Sequence, residues 1–240
     1  MTLISLHGVQ KQYQLNGNTV TAVQDISLSI ARGEFVAFSG PSGSGKSTLF
    51  SLIAAMSKPT AGRIVVAGED ITGFDNAQAA MLRRKMFGFV FQSFNLMPVL
   101  SAFENIELPL LLTGMTRAER RVRVEELAER LELKPLLSHR PDAMSGGQRQ
   151  RVAIARALVT RPQIVIADEP TANLDSKIGH LVLELAKERC RQDDVTFVFS
   201  SHDPAMVAQA DRVVTLHDGH IANDKSSRAG SAAMRLAANE

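Results

Sequence analysis

One short segment limits what this chain can fold into more than any other. Its residues, Gly40-Pro41-Ser42-Gly43-Ser44-Gly45-Lys46-Ser47, match the pattern G-x-x-x-x-G-K-[ST] in full. A predicted strand over residues 36–39 precedes it, and a predicted apolar helix that begins at Thr48 follows it. A glycine-rich turn between a strand and a helix binds phosphate, because its backbone N–H groups face inward and the helix adds its positive end. The sequence therefore predicts an α/β domain that binds a nucleotide through residues 40–48.

Two side chains supply the chemistry of this loop. A lysine at the position of Lys46 can reach the β- and γ-phosphates, and the hydroxyl of Ser47 can ligate Mg²⁺. We therefore expect a nucleotide that carries a γ-phosphate, bound together with Mg²⁺.

An acidic pair and a histidine follow two further predicted strands. Asp168-Glu169 directly follows the apolar residues 164–167, and His202 directly follows residues 198–201. An Asp at the end of a buried strand can hold Mg²⁺, and a Glu beside it can polarise the attacking water. The alternative is an acidic pair that caps the next helix. Ligands bind at the carboxyl edge of parallel strands, so we expect these groups and the phosphate loop at that edge.

The segment Met144-Ser145-Gly146-Gly147-Gln148 discriminates most between kinds of nucleotide-binding protein. Ser145 and Gln148 fit a capping box, and a helix is predicted over residues 149–160. Two glycines and a serine at a helix N-terminus form a second anion-binding site. Because the phosphate loop already serves the chain's own nucleotide, we expect the second site to serve the nucleotide of another subunit.

The remaining pattern predicts a mixed α/β architecture. Four N-terminal segments are apolar or alternating and predict a small antiparallel sheet before the first helix: residues 3–6, 25–30, 34–39 and 62–68. Thr116 and Glu119 fit a capping box, and a helical apolar stripe follows: Val124, Leu127, Ala128 and Leu131. Residues 164–167 and 195–199 predict buried strands separated by a helix over 177–192. Residues 212–217 and 220–222 predict a hairpin with an Asp218-Gly219 turn.

Composition excludes several functional classes. The 240 residues hold 27 Lys and Arg against 25 Asp and Glu, and only 5% are aromatic. This gives no electrostatic case for duplex binding and no stacking surface for single strands, so we expect no nucleic-acid partner. The single cysteine, Cys190, excludes a disulfide-based fold and is interpreted as an incidental helix residue. No secretory signal and no long apolar stretch is found, so we expect no membrane span and a membrane role through a partner only.

These motifs together resemble the ATP-binding subunit of ABC (ATP-binding cassette) transporters, over roughly residues 3–222. Residues 40–47 are similar to Walker A, residues 144–148 to the LSGGQ signature with Met for the usual Leu, and residues 164–169 to Walker B with its catalytic Glu. The resemblance implies four further assignments: Gln92 as the Q-loop glutamine, Asn173-Leu174-Asp175 as the D-loop, His202 as the switch histidine, and Tyr13 as the adenine-stacking aromatic. For Tyr13, packing against an N-terminal strand is the alternative.

The resemblance implies a P-loop NTPase fold of the ABC ATPase type. It has a RecA-like parallel-sheet core, an N-terminal antiparallel β subdomain and a helical signature subdomain. The implied organisation is one ATPase domain over residues 1–222, with the helical subdomain at about 93–158 and a flexible tail at 223–240. ATP and Mg²⁺ are the implied cofactors, with Mg²⁺ ligated by Ser47, Gln92 and Asp168. The implied catalytic residues are Glu169, which activates water, and His202, which senses the γ-phosphate.

The resemblance further implies a homodimer across two ATP molecules, in which residues 145–148 contact the partner's ATP. Residues 87–98 and 104–110 are similar to the lipoprotein-release, macrolide-export and cell-division ATPases. This implies mechanotransmission to an integral membrane permease, at the cytoplasmic face of the bacterial inner membrane. Two alternatives stay open: a cell-division type regulatory ATPase that moves no substrate, and an importer ATPase for small solutes.

Overall fold

The computed structural model describes residues 1–15, 17–172 and 174–226. The chain divides into two compact units, Met1–Ala80 with Ser200–Glu240, and Met81–Phe199. The described strands are β1 (Thr2–Leu15), β2 (Asn18–Ala31), β3 (Phe35–Ser39), β4 (Ala61–Val66), β5 (Glu69–Asp70), β6 (Phe87–Val90), β7 (Ile164–Asp168), β8 (Thr196–Ser200), β9 (Arg212–His217) and β10 (His220–Ser226). The described helices are α1 (Lys46–Ile53), α2 (Asn76–Met86), α3 (Ala102–Glu107), α4 (Arg117–Arg130), α5 (Gly146–Leu158), α6 (Ser176–Gln192) and α7 (Pro204–Val207).

An antiparallel sheet in the order β2-β1-β4-β5 forms part of the first unit. The inward side chains of its strands are buried, among them Ile4, Leu6, Ile30 and Ile64. The predicted antiparallel sheet is thus present, but two details were wrong. The sheet contains two strands that precede α1 in the sequence and two that follow it, and β3 is not one of its strands. Because the first four of the five residues of β3 are apolar and buried, this strand suits a parallel arrangement, and it pairs parallel with β9.

The hairpin of β9 and β10 confirms the predicted Asp-Gly turn. Asp218 (φ 47°) and Gly219 (φ 78°) both adopt the left-handed conformation that a two-residue turn of this kind requires. The second strand runs to Ser226, four residues further than predicted. Its extension is stabilised by Arg212, which donates to both carboxylate oxygens of Asp224 at 2.7 and 2.6 Å. These hydrogen bonds raise the pKa of Arg212.

In the second unit, β7 lies between β6 and β8 and pairs parallel with β6. The apolar residues of β7 and β8 are buried, as the sequence predicted for these two strands. The helix between them, α6, begins after Asp175, whose carboxylate accepts the backbone N–H of Ile178 at 3.0 Å. Cys190 lies on α6 and is only 5% exposed, so it is a packing residue of the helix.

Capping boxes begin three helices of the second unit. Thr116 with Glu119 caps α4, and Ser145 with Gln148 caps α5, which confirms both predictions. The predicted apolar stripe of α4 is buried: Val124, Leu127, Ala128 and Leu131. A third box, Ser101 with Glu104, caps α3 and was not predicted.

Residues 93–158, all of which the structure describes, contain helices and no strand. The boundaries proposed for the helical subdomain and for a single domain over 1–222 stay predictions. Of the tail, residues 223–226 belong to β10 and the remainder lies outside the described residues. No helix in the described ranges has both the length and the apolar character needed to cross a membrane.

Candidate functional site

The phosphate loop of the first unit is shaped by glycines. Gly40, Gly43 and Gly45 have φ values of 133°, 78° and 101°, a region that side chains disfavour. Gly45 immediately precedes α1, so no side chain occupies the first N–H groups of that helix. The loop therefore offers backbone donors at a positive helix end, as phosphate binding requires.

Two of these glycines are also needed because other backbone lies close to them. A Cβ on Gly40 would lie 2.1 Å from the carbonyl oxygen of Leu216, and one on Gly45 would lie 2.3 Å from that of Ala22. Neither neighbour is a flexible side chain, so any larger residue displaces backbone. The sequence pattern indicated the glycines but not these contacts.

Lys46 is buried within the loop that it follows. Its Nζ donates to the carbonyl oxygens of Gly40 at 2.8 Å and Pro41 at 2.9 Å, and to Ser44 Oγ at 3.3 Å. The side chain is 7% exposed. The loop thus holds the ammonium group among its own carbonyls, from which it can reach an anion bound by the loop's N–H groups.

The β9–β10 hairpin supports the phosphate loop, a role that no sequence signal indicated. Gly219 donates its N–H to the carbonyl of Ser44 at 3.1 Å and accepts from the N–H of Gln24 at 2.9 Å. The hydroxyls of Ser39 and Thr215 share a hydrogen bond of 2.9 Å. The Asp-Gly turn predicted a hairpin, but its contact with the loop depends on tertiary structure.

The histidine singled out by the sequence lies in the same unit as the phosphate loop. His202 is exposed, and its neighbour Ser201 donates its N–H to the carbonyl of Phe38, two residues before Gly40. The residue that precedes His202 is therefore hydrogen-bonded to β3, the strand that leads into the loop.

Tyr13 lies on β1 and is 38% exposed, so it is not part of the core. The Nζ of Lys11 lies 5.0 Å from the ring centroid. An exposed aromatic ring beside a cation is suited to stacking, and the adenine-stacking role of Tyr13 stays a prediction.

The acidic pair lies in the second unit, at the end of β7. Asp168 is its last residue, and Glu169 follows with a left-handed φ of 50°. The helix after it is capped by Asp175, which the sequence had assigned to the D-loop. The alternative of an acidic pair that caps the next helix is thus excluded. Asn173 lies outside the described residues.

Gln92 and the signature segment also lie in the second unit. Gln92 is exposed in the turn after β6. Ser145 is the exposed N-cap of α5, where its N–H donates to Gln148 Oε1 at 2.8 Å and its Oγ accepts from the N–H of Gln148 at 3.3 Å. Met144 is 6% exposed, which explains why a side chain as apolar as Leu is accepted there.

Comparisons with known proteins identify the family. Residues 23–172 match the family model described as ABC transporter. The chain belongs to this family. It is 46% identical over 84% of its length to "ABC transporter ATP-binding protein YtrE" of Bacillus subtilis (strain 168), of which it covers 87%. It is 41% identical over 91% of its length to "Lipoprotein-releasing system ATP-binding protein LolD" of Shewanella sp. (strain MR-4), of which it covers 95%.

Longer relatives and solved structures give the same assignment. The chain is 43% identical over 94% of its length to "Macrolide export ATP-binding/permease protein MacB 1" of Yersinia pestis bv. Antiqua (strain Antiqua), but it spans only 35% of that protein. The dimeric, ADP- and phosphate-bound ATP-binding cassette MJ0796 matches with a TM-score of 0.90 at 39% identity, over 93% of this chain and 98% of that one. The chain is thus an ABC transporter ATPase domain, and the predicted fold class is confirmed. Its family binds and hydrolyses ATP.

Proposed function

We propose that two copies of this chain close around two ATP molecules and that this closure drives a membrane permease. The observation that carries the proposal is the second anion site, at the N-terminus of α5. Its Ser145-Gly146-Gly147 segment is exposed or half-buried, and its capping box leaves the glycine N–H groups to an outside anion. The phosphate loop already provides one complete cradle, so a second is useful to the ATP of a partner copy.

Each site residue then has one role. Residues 40–48 cradle the phosphates, Lys46 neutralises the β- and γ-phosphates, and Tyr13 stacks on the adenine. Glu169 orients or activates the attacking water, and His202 senses the γ-phosphate. Residues 145–148 contact the partner's γ-phosphate, so hydrolysis removes the charge that bridges the dimer.

The donor set suits Mg²⁺. Ser47, Gln92 and Asp168 provide a hydroxyl, an amide and a carboxylate oxygen, the hard ligands that Mg²⁺ prefers beside substrate phosphates. These side chains would hold the ion, which when bound neutralises the charge that develops on the phosphates.

An apolar groove in the second unit is the surface we assign to the permease. It measures about 510 Å³ and is lined by Phe89, Phe91, Leu108, Leu111 and Leu112, with Arg83 and Arg84 among its other residues. Asn95, three residues after Gln92, also lines it. We propose that a short helix of the permease binds there. Its apolar residues would pack in the groove, and its acidic residues would pair with Arg83 and Arg84. Movement of that helix would then reach the Gln92 turn.

The names of the relatives favour export or lipoprotein release over the import of small solutes. Lipoprotein release and macrolide export are the functions in the names of LolD and MacB. We therefore propose mechanotransmission-type export or lipoprotein extraction, at the cytoplasmic face of the bacterial inner membrane. YtrE and LolD are named as ATP-binding proteins, whereas MacB is named as an ATP-binding/permease protein.

The catalytic assignment is tested with Glu169→Gln. The substituted side chain cannot act as a base, so the purified variant should bind ATP, accumulate as a dimer in size-exclusion chromatography with light scattering, and lose about 100-fold in turnover or more. Glu184→Gln, at an exposed position of α6, is the matched control and should behave as the native chain. Native turnover by Glu169→Gln would refute the assignment.

The groove is tested by co-purification from membranes. Leu111→Glu places a charge in the groove, whereas Val122→Glu places one at a similarly exposed position of α4. We expect the first variant to lose the co-purified permease and the second to keep it. Identification of that permease also separates extraction, regulation and import. Equal recovery with both variants would show that the groove is not the docking surface.

A further inference from the structure

Three residues in the two loops that carry Gln92 and Glu169 have a left-handed backbone conformation. Phe94 (φ 63°) and Asn95 (φ 46°) are consecutive left-handed residues in the turn that carries Gln92, and Glu169 has φ 50°. Asn tolerates this conformation, but Phe and Glu do so at an energetic cost. Such strain persists only where the surroundings hold it in place. Side chains of α5 donate hydrogen bonds to both loops.

Arg156 of α5 holds the first loop. Its Nη1 donates to the carbonyl of Asn95 at 2.6 Å, and its Nη2 donates to the carbonyl of Phe94 at 2.7 Å. Burial lowers the pKa of this guanidinium. From the N-terminal end of the same helix, the guanidinium of Arg149 lies 5.2 Å from the ring centroid of Phe94. The rigid fork of Arg156 bonds two neighbouring carbonyls through two separate nitrogens in one plane, a geometry that the single ammonium of a lysine does not reproduce.

Gln150 of α5 holds the second loop. Its side chain is fully buried, and its Nε2 donates to the carbonyl of Pro170 at 2.8 Å, directly after Glu169. Its Oε1 accepts no hydrogen bond within the described residues. A buried amide whose acceptor is unsatisfied destabilises the fold, so a glutamine at this position needs an explanation beyond packing. Its hydrogen bond to Pro170 provides one.

We propose that Gln150 and Arg156 are positioning residues, which hold the Glu169 and Gln92 loops in their strained shapes from the one helix that begins at the signature segment. The inference rests on the proposed function, because that function gives Glu169 and Gln92 their roles. Without these hydrogen bonds the loops relax toward negative φ, and the side chains of Glu169 and Gln92 turn away from the nucleotide.

The chain contains a matched control on the same helix. Arg151 Nη1 donates to the carbonyls of Leu131 at 2.9 Å and Glu132 at 3.2 Å. Glu132 is also left-handed, with φ 53°. This arginine therefore also holds a strained turn by its two neighbouring carbonyls, although through a single nitrogen, and that turn carries no proposed site residue.

The first experiment compares Arg156→Lys with Arg151→Lys in the full chain. Both variants lose the arginine hydrogen bonds to two neighbouring carbonyls, so we expect both melting temperatures to fall by a similar few degrees, about 5 °C. Only Arg156→Lys should lower kcat, by about tenfold with KM for ATP changed by less than about twofold, because misplaced catalytic groups affect the chemical step. If the two variants lose the same fraction of kcat, or neither loses any, the arginine arm of the proposal is wrong. Arg156→Gln replaces Arg156→Lys if the latter does not fold.

The second experiment places Gln150→Met in the native chain and in Glu169→Gln, with single-turnover hydrolysis of radiolabelled ATP as the readout. We expect about a tenfold loss in the native background and less than about a twofold loss beside Glu169→Gln, because a residue that acts through Glu169 has nothing left to position. Gln150→Leu is the second variant if Gln150→Met unfolds. An equal loss in both backgrounds, or none in the native chain, overturns the proposal alone. Native turnover by Glu169→Gln overturns the proposed function, and this inference with it.

Discussion

Three of the loops that contain left-handed backbone stabilise it in different ways. One is the phosphate loop of the first unit, and the other two lie beside α5 in the second unit. The phosphate loop uses glycines, for which positive φ carries no side-chain penalty. The loops at Phe94-Asn95 and Glu169 use residues with side chains, and hydrogen bonds from α5 hold them.

The difference follows from what each loop presents to the nucleotide. The phosphate loop binds through backbone N–H groups, so side chains at its turning points would obstruct the ligand. The other loops act through the side chains of Glu169 and Gln92 in the proposed function, and glycine at position 169 would remove the reacting group. A loop of the first kind is defined by its own sequence, whereas a loop of the second kind depends on a helix elsewhere in its unit.

The largest effect is expected where a glycine is replaced in the phosphate loop. Gly40→Ala combines φ 133° with a Cβ placed 2.1 Å from a backbone oxygen, so the free energy of unfolding should fall by about 3 kcal/mol or more. Gly68→Ala is the control, with φ 83° and open space around the added Cβ, and should cost only about 1–2 kcal/mol. Chemical denaturation measures both. Equal losses would mean that conformation alone, and not the close approach, requires Gly40.

A smaller effect is expected when a glycine is introduced into the Phe94-Asn95 turn, which Arg156 holds. Asn95→Gly removes the left-handed penalty, about 1 kcal/mol or less, so the turn should keep its shape with fewer hydrogen bonds. In the Arg156→Lys background it should recover about threefold in kcat, whereas Asn95→Ala, which increases the penalty, should recover nothing. Steady-state ATPase assays decide between them. Equal rescue by both substitutions would contradict the strain argument.

The smallest effect concerns how the helices of the second unit are anchored. Hydrogen bonds with Ser101 and with Thr116 lower the pKa of Glu104 and of Glu119 below the ordinary value of 4.5. A carboxylate whose pKa is lower in the folded state stabilises that state at pH values above the unfolded pKa. This contribution is lost as the pH falls through the folded pKa. The caps of α3 and α4 should therefore weaken below about pH 4.5, whereas α5 is capped by Gln148, which does not titrate.

Amide hydrogen exchange of the first turns checks this order. Protection should decrease in α3 and α4 before α5 as the solution is acidified. Simultaneous loss in all three helices would show that the capping carboxylates do not control the fraying.

The sequence predicted those features whose cause is local. Capping boxes at Thr116 and Ser145, the Asp218-Gly219 turn and the phosphate loop depend on residues a few positions apart, and the structure contains all of them. The parallel partner of β3 lies more than 170 residues away, so no local pattern indicates it. The same holds for the hydrogen bond from Gln150 to Pro170, and for the left-handed φ of Glu169, which its residue type disfavours.

The burial of Cys190 has a practical consequence for experiments on motion. It is the only cysteine among 240 residues and is 5% exposed on α6. A thiol this enclosed reacts slowly with maleimides, because reagent access limits the reaction. A cysteine introduced at an exposed site such as Glu184 would therefore take up a fluorophore or spin label selectively. The proposed dimer closure could then be tested by distance measurement without first removing the native thiol.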